Sequence, residues 1–191
     1  MHHTSYRAVQ KCCQTYLNEE FFHRGVVTVL DMGSFEVQES GSYRKLFSDR
    51  TKYNYIGVDM AQGPNVDIVL SDPYKLPLRD GFADVIVSGQ MFEHCEFFWL
   101  SFQEMVRVLN PTGYIFLVAP SAGPYHAHPV DCYRFYKDSY PALAKWADCE
   151  CVEVWQDETY LWRDLTGVFR HHPRNADGTS SPAALAEATA G

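Results

Sequence analysis

Residues 29–38, "VLDMGSFEVQ", begin as a buried strand and end in a turn that opens on Gly33. Val29 and Leu30 close a short apolar run that starts at Val26, Asp31 follows, and Gly33 supplies the backbone freedom of a tight turn. A turn built for a pyrophosphate would continue as Gly-x-Gly-x-x-Gly, letting the ligand meet a helix N-terminus closely. Only Gly33 is in place here, and the chain goes on with Ser34, Phe35 and Glu36.

Outward from this stretch, further apolar runs rich in β-branched residues lie at 53–58, 66–70, 83–87 and 114–118, the pattern of strands buried on both faces of a parallel sheet. Before the first run, Tyr6, Val9, Cys13, Tyr16, Leu17 and Phe21 recur at steps of three and four, so residues 5–22 are expected to form one amphipathic helix. Phe98, Phe102, Met105, Val106 and Leu109 keep the same spacing up to Asn110-Pro111-Thr112-Gly113, a turn that stops the helix. A helix near residues 140–146 and strands near 151–155 and 167–170 follow, the last two as an antiparallel hairpin at the sheet edge. The expected fold is one α/β domain over residues 1–171, with residues 172–191 too small and polar to pack and so a disordered tail.

In an open α/β sheet the ligand sits at the carboxyl ends of the strands, which directs attention to Asp31-Met32-Gly33-Ser34, Asp59-Met60, Ser71-Asp72-Pro73, Ser88-Gly89-Gln90 and Ala119-Pro120-Ser121. Asp59, after the second strand, is placed to accept from both ribose hydroxyls; Asp72, after the third, is placed to accept from an adenine amine. Asp31 and Glu36 repel a diphosphate and suit a cofactor that carries an ammonium group and no phosphate. That charge pattern points to S-adenosylmethionine rather than a nicotinamide dinucleotide.

The series "VLDMGS", "YIGVDM", "VLSDPYKLPLRDGFADVIVSGQMFEH" and "MVRVLNPTGYIFLVAPS" resembles the class I S-adenosylmethionine-dependent methyltransferases, in a small branch of the methyltransferase-11 kind, over about residues 25–121. The resemblance implies a Rossmann-like class I fold, with a mostly parallel sheet, an antiparallel C-terminal edge hairpin and helices on both faces. It implies a cofactor set of Asp31, Gly33, Ser34, Phe35, Asp59, Met60, Ser71, Asp72, Pro73 and Gln90, with the methionine part in the first turn and Gln90 beside the sulfonium. Most of the family reads Asp-x-Gly-x-Gly-x-Gly at the first motif; Phe35 replaces the second Gly here. The chain instead looks like a branch reading Gly-Ser-x-Asp-Val-Asn-Gly-Ser-Tyr-Arg, of which Gly33-Ser34, Val37 and Gly41-Ser42-Tyr43-Arg44 remain.

Groups for the acceptor must come from beyond these motifs. Residues 121–138, "SAGPYHAHPVDCYRFYKD", follow the fifth strand and carry His126, His128, Asp131, Tyr133 and Arg134. His128 or His126 is the candidate base, Asp131 orients a His or binds a hydroxyl, and Arg134 either pairs with an acceptor carboxylate or phosphate or forms a structural pair with Asp131. Two metal groupings are visible: His126-x-His128 with Cys132, and Gln90-x-x-Glu93-His94, which resembles the magnesium-binding Glu-x-x-Glu-His of ubiquinone-pathway O-methyltransferases. Gln90 removes a charge that a hard cation needs, so no metal is expected, with Glu93 and His94 the only weak candidates of that motif.

At 191 residues, 46% of them hydrophobic, the chain holds one well-packed core. A net charge of −8 and the lack of any Lys/Arg run argue against nucleic acid, and no apolar run reaches membrane length. Six cysteines without C-x-x-C spacing are expected to stay reduced, and the protein is expected in the cytoplasm. The expected activity is methylation of a small-molecule acceptor, most readily O-methylation of a sugar or specialised metabolite. With little room for a substrate cap, the acceptor site is open or shared with a second copy in a homodimer. The rival expectation is a non-catalytic module that binds the cofactor or a partner.

Overall fold

A computed structural model describes residues 2–23, 25–36 and 41–173; the expected tail, from residue 174 onward, and Val37 lie outside the described residues. Helices α1 (His3–Tyr16) and α2 (Glu19–Phe22) precede β1 (Val27–Met32), β2 (Tyr53–Asp59), β3 (Ile68–Val69) and β4 (Ala83–Gly89). Then come α3 (Phe98–Val108), β5 (Leu109–Pro120), α4 (Ser139–Trp146), β6 (Glu150–Gln156) and β7 (Asp164–Arg170). The strands make one sheet in the order β3-β2-β1-β4-β5-β7-β6. Strands β1 to β5 pair in parallel, and β7 runs against both β5 and β6. This is the mostly parallel sheet with an antiparallel edge hairpin that the sequence implies.

Both faces of the sheet are covered. On one, α1, α2 and a 3-10 turn at Tyr43–Phe47 bury Val9, Cys12 and Phe21 against Val29, Val85 and Phe116. On the other, α3 and α4 bury Phe102, Met105 and Tyr140 against Leu30, Ile86 and Phe169. The central strands are buried on both sides, which is why β1, β4 and β5 read as near-continuous apolar runs rather than alternating ones.

Four boundaries differ from expectation, each for a local reason. The helix expected over residues 5–22 is two helices, because the Asn18 side chain accepts from Phe21 N at 3.0 Å and starts a new one. The run at 66–70 yields only a two-residue β3: Asn65 turns the chain at φ 71°, and Asp67 uses its carboxylate to cross-link neighbouring segments. Asn110-Pro111-Thr112-Gly113 does end a helix, yet β5 begins at once with Leu109, paired to Ala83, and these four residues bulge out before Tyr114 rejoins the ladder opposite Val85. Strand β7 starts at Asp164, earlier than its apolar run, and so brings a buried carboxylate to the ligand end of the sheet.

Phe102 ties α3 to the antiparallel hairpin, its ring 4.9 Å from Phe169 and 6.3 Å from Phe92, and it is fully buried. Phe102→Ala is expected to lower unfolding free energy by about 3–5 kcal/mol, read by urea titration.

Candidate active site

Strand order reverses between β1 and β4, so their carboxyl ends splay apart and open a crevice. Gly33, at φ 79°, makes the turn out of β1, and Gly33 N and Ser34 N donate to Val58 O at 2.9 and 3.1 Å. Across the crevice Gly89 lets the Tyr43 ring lie on the end of β4, where any Cβ would collide with the phenol. A cavity of about 80 Å³ remains between them, lined by Asp31, Gly33, Ser34, Phe35, Gly41, Ser42, Tyr43, Asn65, Gly89 and Gln90.

The turn is braced by polar side chains in place of glycines. Tyr55 OH donates to the buried carboxylate of Asp31. Asn65 Nδ2 donates to Ser34 O at 2.9 Å and to Tyr55 OH at 3.2 Å, while Arg44 Nε donates to Asn65 Oδ1 at 2.5 Å and Arg44 NH2 to Asp67 Oδ2 at 2.6 Å. The Arg44 guanidinium lies over the Tyr55 ring, 4.5 Å from its centroid. Burial pushes the Asp31 carboxyl up to about 7, opposed by the Tyr55 hydrogen bond and the Arg44 charge. Glu36 Oε1 accepts from Gly41 N at 3.2 Å, pinning both ends of the 37–40 segment, which is outside the described residues.

The cofactor candidates divide into two groups. Asp31, Gly33, Ser34, Phe35 and Gln90 line the cavity; Asp59, Met60, Ser71, Asp72 and Pro73 stand outside it, toward the β2 and β3 ends. Asp59 accepts from Phe35 N at 3.0 Å and Ala61 N at 3.1 Å, which leaves lone pairs on both oxygens for further donors. Met60 is exposed, and Phe35 is half-exposed and folded over Gly63. Ser71 and Asp72 are exposed, and Asp72 Oδ1 closes a turn on Tyr74 N at 2.8 Å. Pro73 supplies its carbonyl to Ser101 Oγ at 2.9 Å. Ser34 Oγ and Gln90 Oε1 are buried with no hydrogen-bond partner among the described residues. Two orphaned acceptors beside the Asp31 carboxylate suit a ligand that brings donors and positive charge, as S-adenosylmethionine does.

On the acceptor side the loop after β5 folds back over the residues that follow β4. Cys132 N and Tyr133 N donate to Glu93 O at 2.7 and 3.2 Å, and His94 Nδ1 donates to Val130 O at 2.6 Å. His126 thereby sits 4.8 Å from the His94 ring and 4.5 Å from Trp162, with His128 exposed at the rim. Arg134 NH1 and NH2 grip the two Asp131 oxygens at 2.6 and 2.9 Å, and Arg134 also donates to Tyr133 O and Pro124 O. These bonds hold the Asp131 carboxyl well below its usual range, and Asp131 in turn accepts from His126 N at 2.7 Å. Of the two roles open to Arg134, the structure shows the pair with Asp131.

Glu93 is wholly buried, and neither carboxylate oxygen has a hydrogen-bond partner among the described residues; burial pushes it up to about 8. Burial also lowers His94 and His126, favouring neutral imidazoles. Neither metal grouping visible in the sequence forms as such: Cys132 is exposed, Gln90 is turned to Asp164 Oδ1 at 3.1 Å, and Glu93, His94 and His126 come together instead.

A family model described as a methyltransferase domain matches residues 30–117. The match spans just under half of the chain, and the fold around it is the Rossmann-like fold of class I methyltransferases. Among curated proteins, no sequence match is found. Solved structures share the fold of this chain. One is the Burkholderia thailandensis 1,6-didemethyltoxoflavin-N1-methyltransferase with bound 1,6-didemethyltoxoflavin and S-adenosylhomocysteine, at TM-score 0.62 and 14% identity over 88% of this chain and 84% of that one. A second is a candidate methyltransferase in complex with the Haloferax volcanii Trm112 methyltransferase activator, at TM-score 0.62 and 16% identity over 87% and 90%. A third is an S-adenosylmethionine-dependent methyltransferase from Aquifex aeolicus, at TM-score 0.54 and 17% identity over 88% and 97%.

Several residues of the crevice carry no sequence signal. Asp164 is buried and accepts from Gln90 Nε2, from Thr4 Oγ1 at 2.5 Å and from His2 Nδ1 at 3.2 Å, so the start of α1 closes one side of the crevice. His2 also stacks on Trp162, with centroids 5.0 Å apart. Tyr43 and Arg44 were visible only as part of the branch-like Gly-Ser-Tyr-Arg stretch; Tyr43 OH meets Ser5 Oγ at 2.5 Å.

Two outcomes follow for ligand-free and liganded protein. An acid raised to about 7 in the fold binds its proton more tightly there than in the unfolded chain, so its contribution weakens as pH rises from about 4 to 7. Asp31→Asn, which keeps the acceptor for Tyr55, is expected to lose less stability than wild type between pH 5 and pH 8 in denaturant unfolding. Equal losses would contradict the raised acid. Asp59→Ala, which frees the Phe35 turn and removes a carboxylate from the ribose side, is expected to weaken S-adenosylhomocysteine binding by about 1–3 kcal/mol in calorimetric titration.

Proposed function

We propose that this methyltransferase moves the cofactor's methyl group onto an oxygen of a small-molecule acceptor, a sugar or specialised metabolite, held between the β1/β4 crevice and the loop after β5. The observation that carries this reading is His128: it is exposed, and its ring lies 5.6 Å from His94 and 6.0 Å from His126, where an acceptor entering from solvent would meet it. Bound in the crevice, S-adenosylmethionine supplies an electrophilic methyl carbon whose bond to sulfur breaks with the electron pair remaining on sulfur.

The chain's own residues do the rest. His128 accepts the hydroxyl proton as the acceptor oxygen uses its lone pair to form the new bond to carbon. Asp131, held by Arg134, fixes the loop through His126 N and is a positioning residue, as is Arg134. Trp162 and the exposed Tyr160 and Leu161 wall the acceptor side with apolar surface, which limits the approach of water. That a structural neighbour holds a small heterocyclic acceptor together with S-adenosylhomocysteine supports an acceptor of that size.

The test is incubation of the purified chain with methyl-tritiated cofactor and fractionated small molecules bearing hydroxyl groups. Labelled product is expected, and His128→Ala is expected to lower turnover on the order of 100-fold while S-adenosylhomocysteine affinity stays unchanged. Cofactor binding with no transfer to any fraction would support the non-catalytic module instead.

A further inference from the structure

Glu93 is at 0% exposure, and neither carboxylate oxygen has a hydrogen-bond partner among the described residues, a costly arrangement unless something supplies positive charge or donors. Arg134, the guanidinium whose field reaches it, is bound to Asp131 through both terminal nitrogens. Two imidazoles face the carboxylate: His94 Nε2 lies 3.6 Å from Glu93 Oε1, and one donor atom from each of Glu93, His94 and His126 falls within 4.8 Å of the other two. His94 has its Nδ1 committed to Val130 O at 2.6 Å, which fixes the ring and leaves Nε2 with a free lone pair. An outer carbonyl that orients a ligating imidazole is the usual support of a metal-bound histidine. His126 Nδ1 faces both Arg134 NH2 and the Asp131 carboxylate, each at 3.4 Å.

We infer that Glu93, His94 and His126 bind one divalent transition ion of the zinc class at the acceptor end of the crevice. Two imidazoles and a single carboxylate suit zinc, cobalt(II), nickel or iron(II); magnesium prefers an oxygen cage with more charge. Gln90 stays outside the set, turned to Asp164, so the ligand shell differs from a Glu-x-x-Glu-His site in composition as well as in the loop that completes it. Three protein ligands leave coordination positions open for an oxygen of the acceptor, whose proton affinity a bound ion lowers. The role of the ion rests on the proposed acceptor reading; the binding of the ion does not.

The experiment uses the untagged chain, stripped with a chelator and titrated calorimetrically with zinc chloride and, separately, cobalt(II) chloride, whose visible absorption reports imidazole ligation. One ion per chain is expected, with a rise in thermal midpoint on zinc addition. Glu93→Gln and His126→Gln are expected to weaken zinc at least 100-fold while S-adenosylhomocysteine still binds, which shows that the fold is intact. His172→Gln, in the adjacent His171-His172 pair, is expected to leave zinc binding unchanged. No zinc or cobalt binding by a chain that binds S-adenosylhomocysteine would overturn the site, as would wild-type zinc affinity in both ligand variants. Displacement of zinc by equimolar magnesium would overturn the ion class. Because these readouts need no acceptor, failure to find methyl transfer leaves this test standing, and failure of the metal test leaves the transfer assay standing.

Discussion

The carboxylate of Asp31, buried where β1 ends, sets the terms for the cofactor half of the molecule. A buried acid needs donors nearby, and Tyr55 from β2 supplies one. Tyr55 is then held by Asn65, Asn65 by Arg44, and Arg44 by Asp67, so the strand ends, the 3-10 turn and the short β3 are tied to one another through side chains. A polar network shapes the first turn, and among the described residues between β1 and β2 a 3-10 turn follows it.

A second buried acid, Glu93, organises the other half. Its backbone carbonyl receives two amides from the loop after β5, which draws His126 and His128 over the ends of β4 and β5. Its carboxylate receives no hydrogen bond from the described residues. The two acids thus differ in kind: Asp31 is partnered and structural as well as ligand-facing, whereas Glu93 is left open toward the histidines. Gln90 and Asp164 lie between them and link the crevice to the start of α1.

Much of the fold was legible because burial on both faces of a parallel sheet leaves continuous apolar runs, and because Asn, Pro and Gly punctuate them. The runs that became β1, β2, β4 and β5 and the antiparallel closing pair could be read directly. The misreadings occurred where a side chain competed with the backbone: Asn18 broke a helix that its apolar spacing supported, and Asp67 and Asn65 shortened β3. The cofactor turn was legible from Asp31, Gly33 and the absence of further glycines. Its bracing by Tyr55 and Asn65 was not: Tyr55 opens the YIGVDM stretch as an ordinary strand residue, and Asn65 stands at no motif position.

The sequence by itself determined most of the strands, the strand-end residues that face the ligand and the charge of the turn, because periodicity and strand-end residues act locally. Tertiary structure alone decided which histidine meets which acid. Glu93 and His126 are far apart in the chain, and only the return of the loop over β4, fixed by the Glu93 carbonyl and by the Asp131–Arg134 pair, brings imidazoles against that carboxylate.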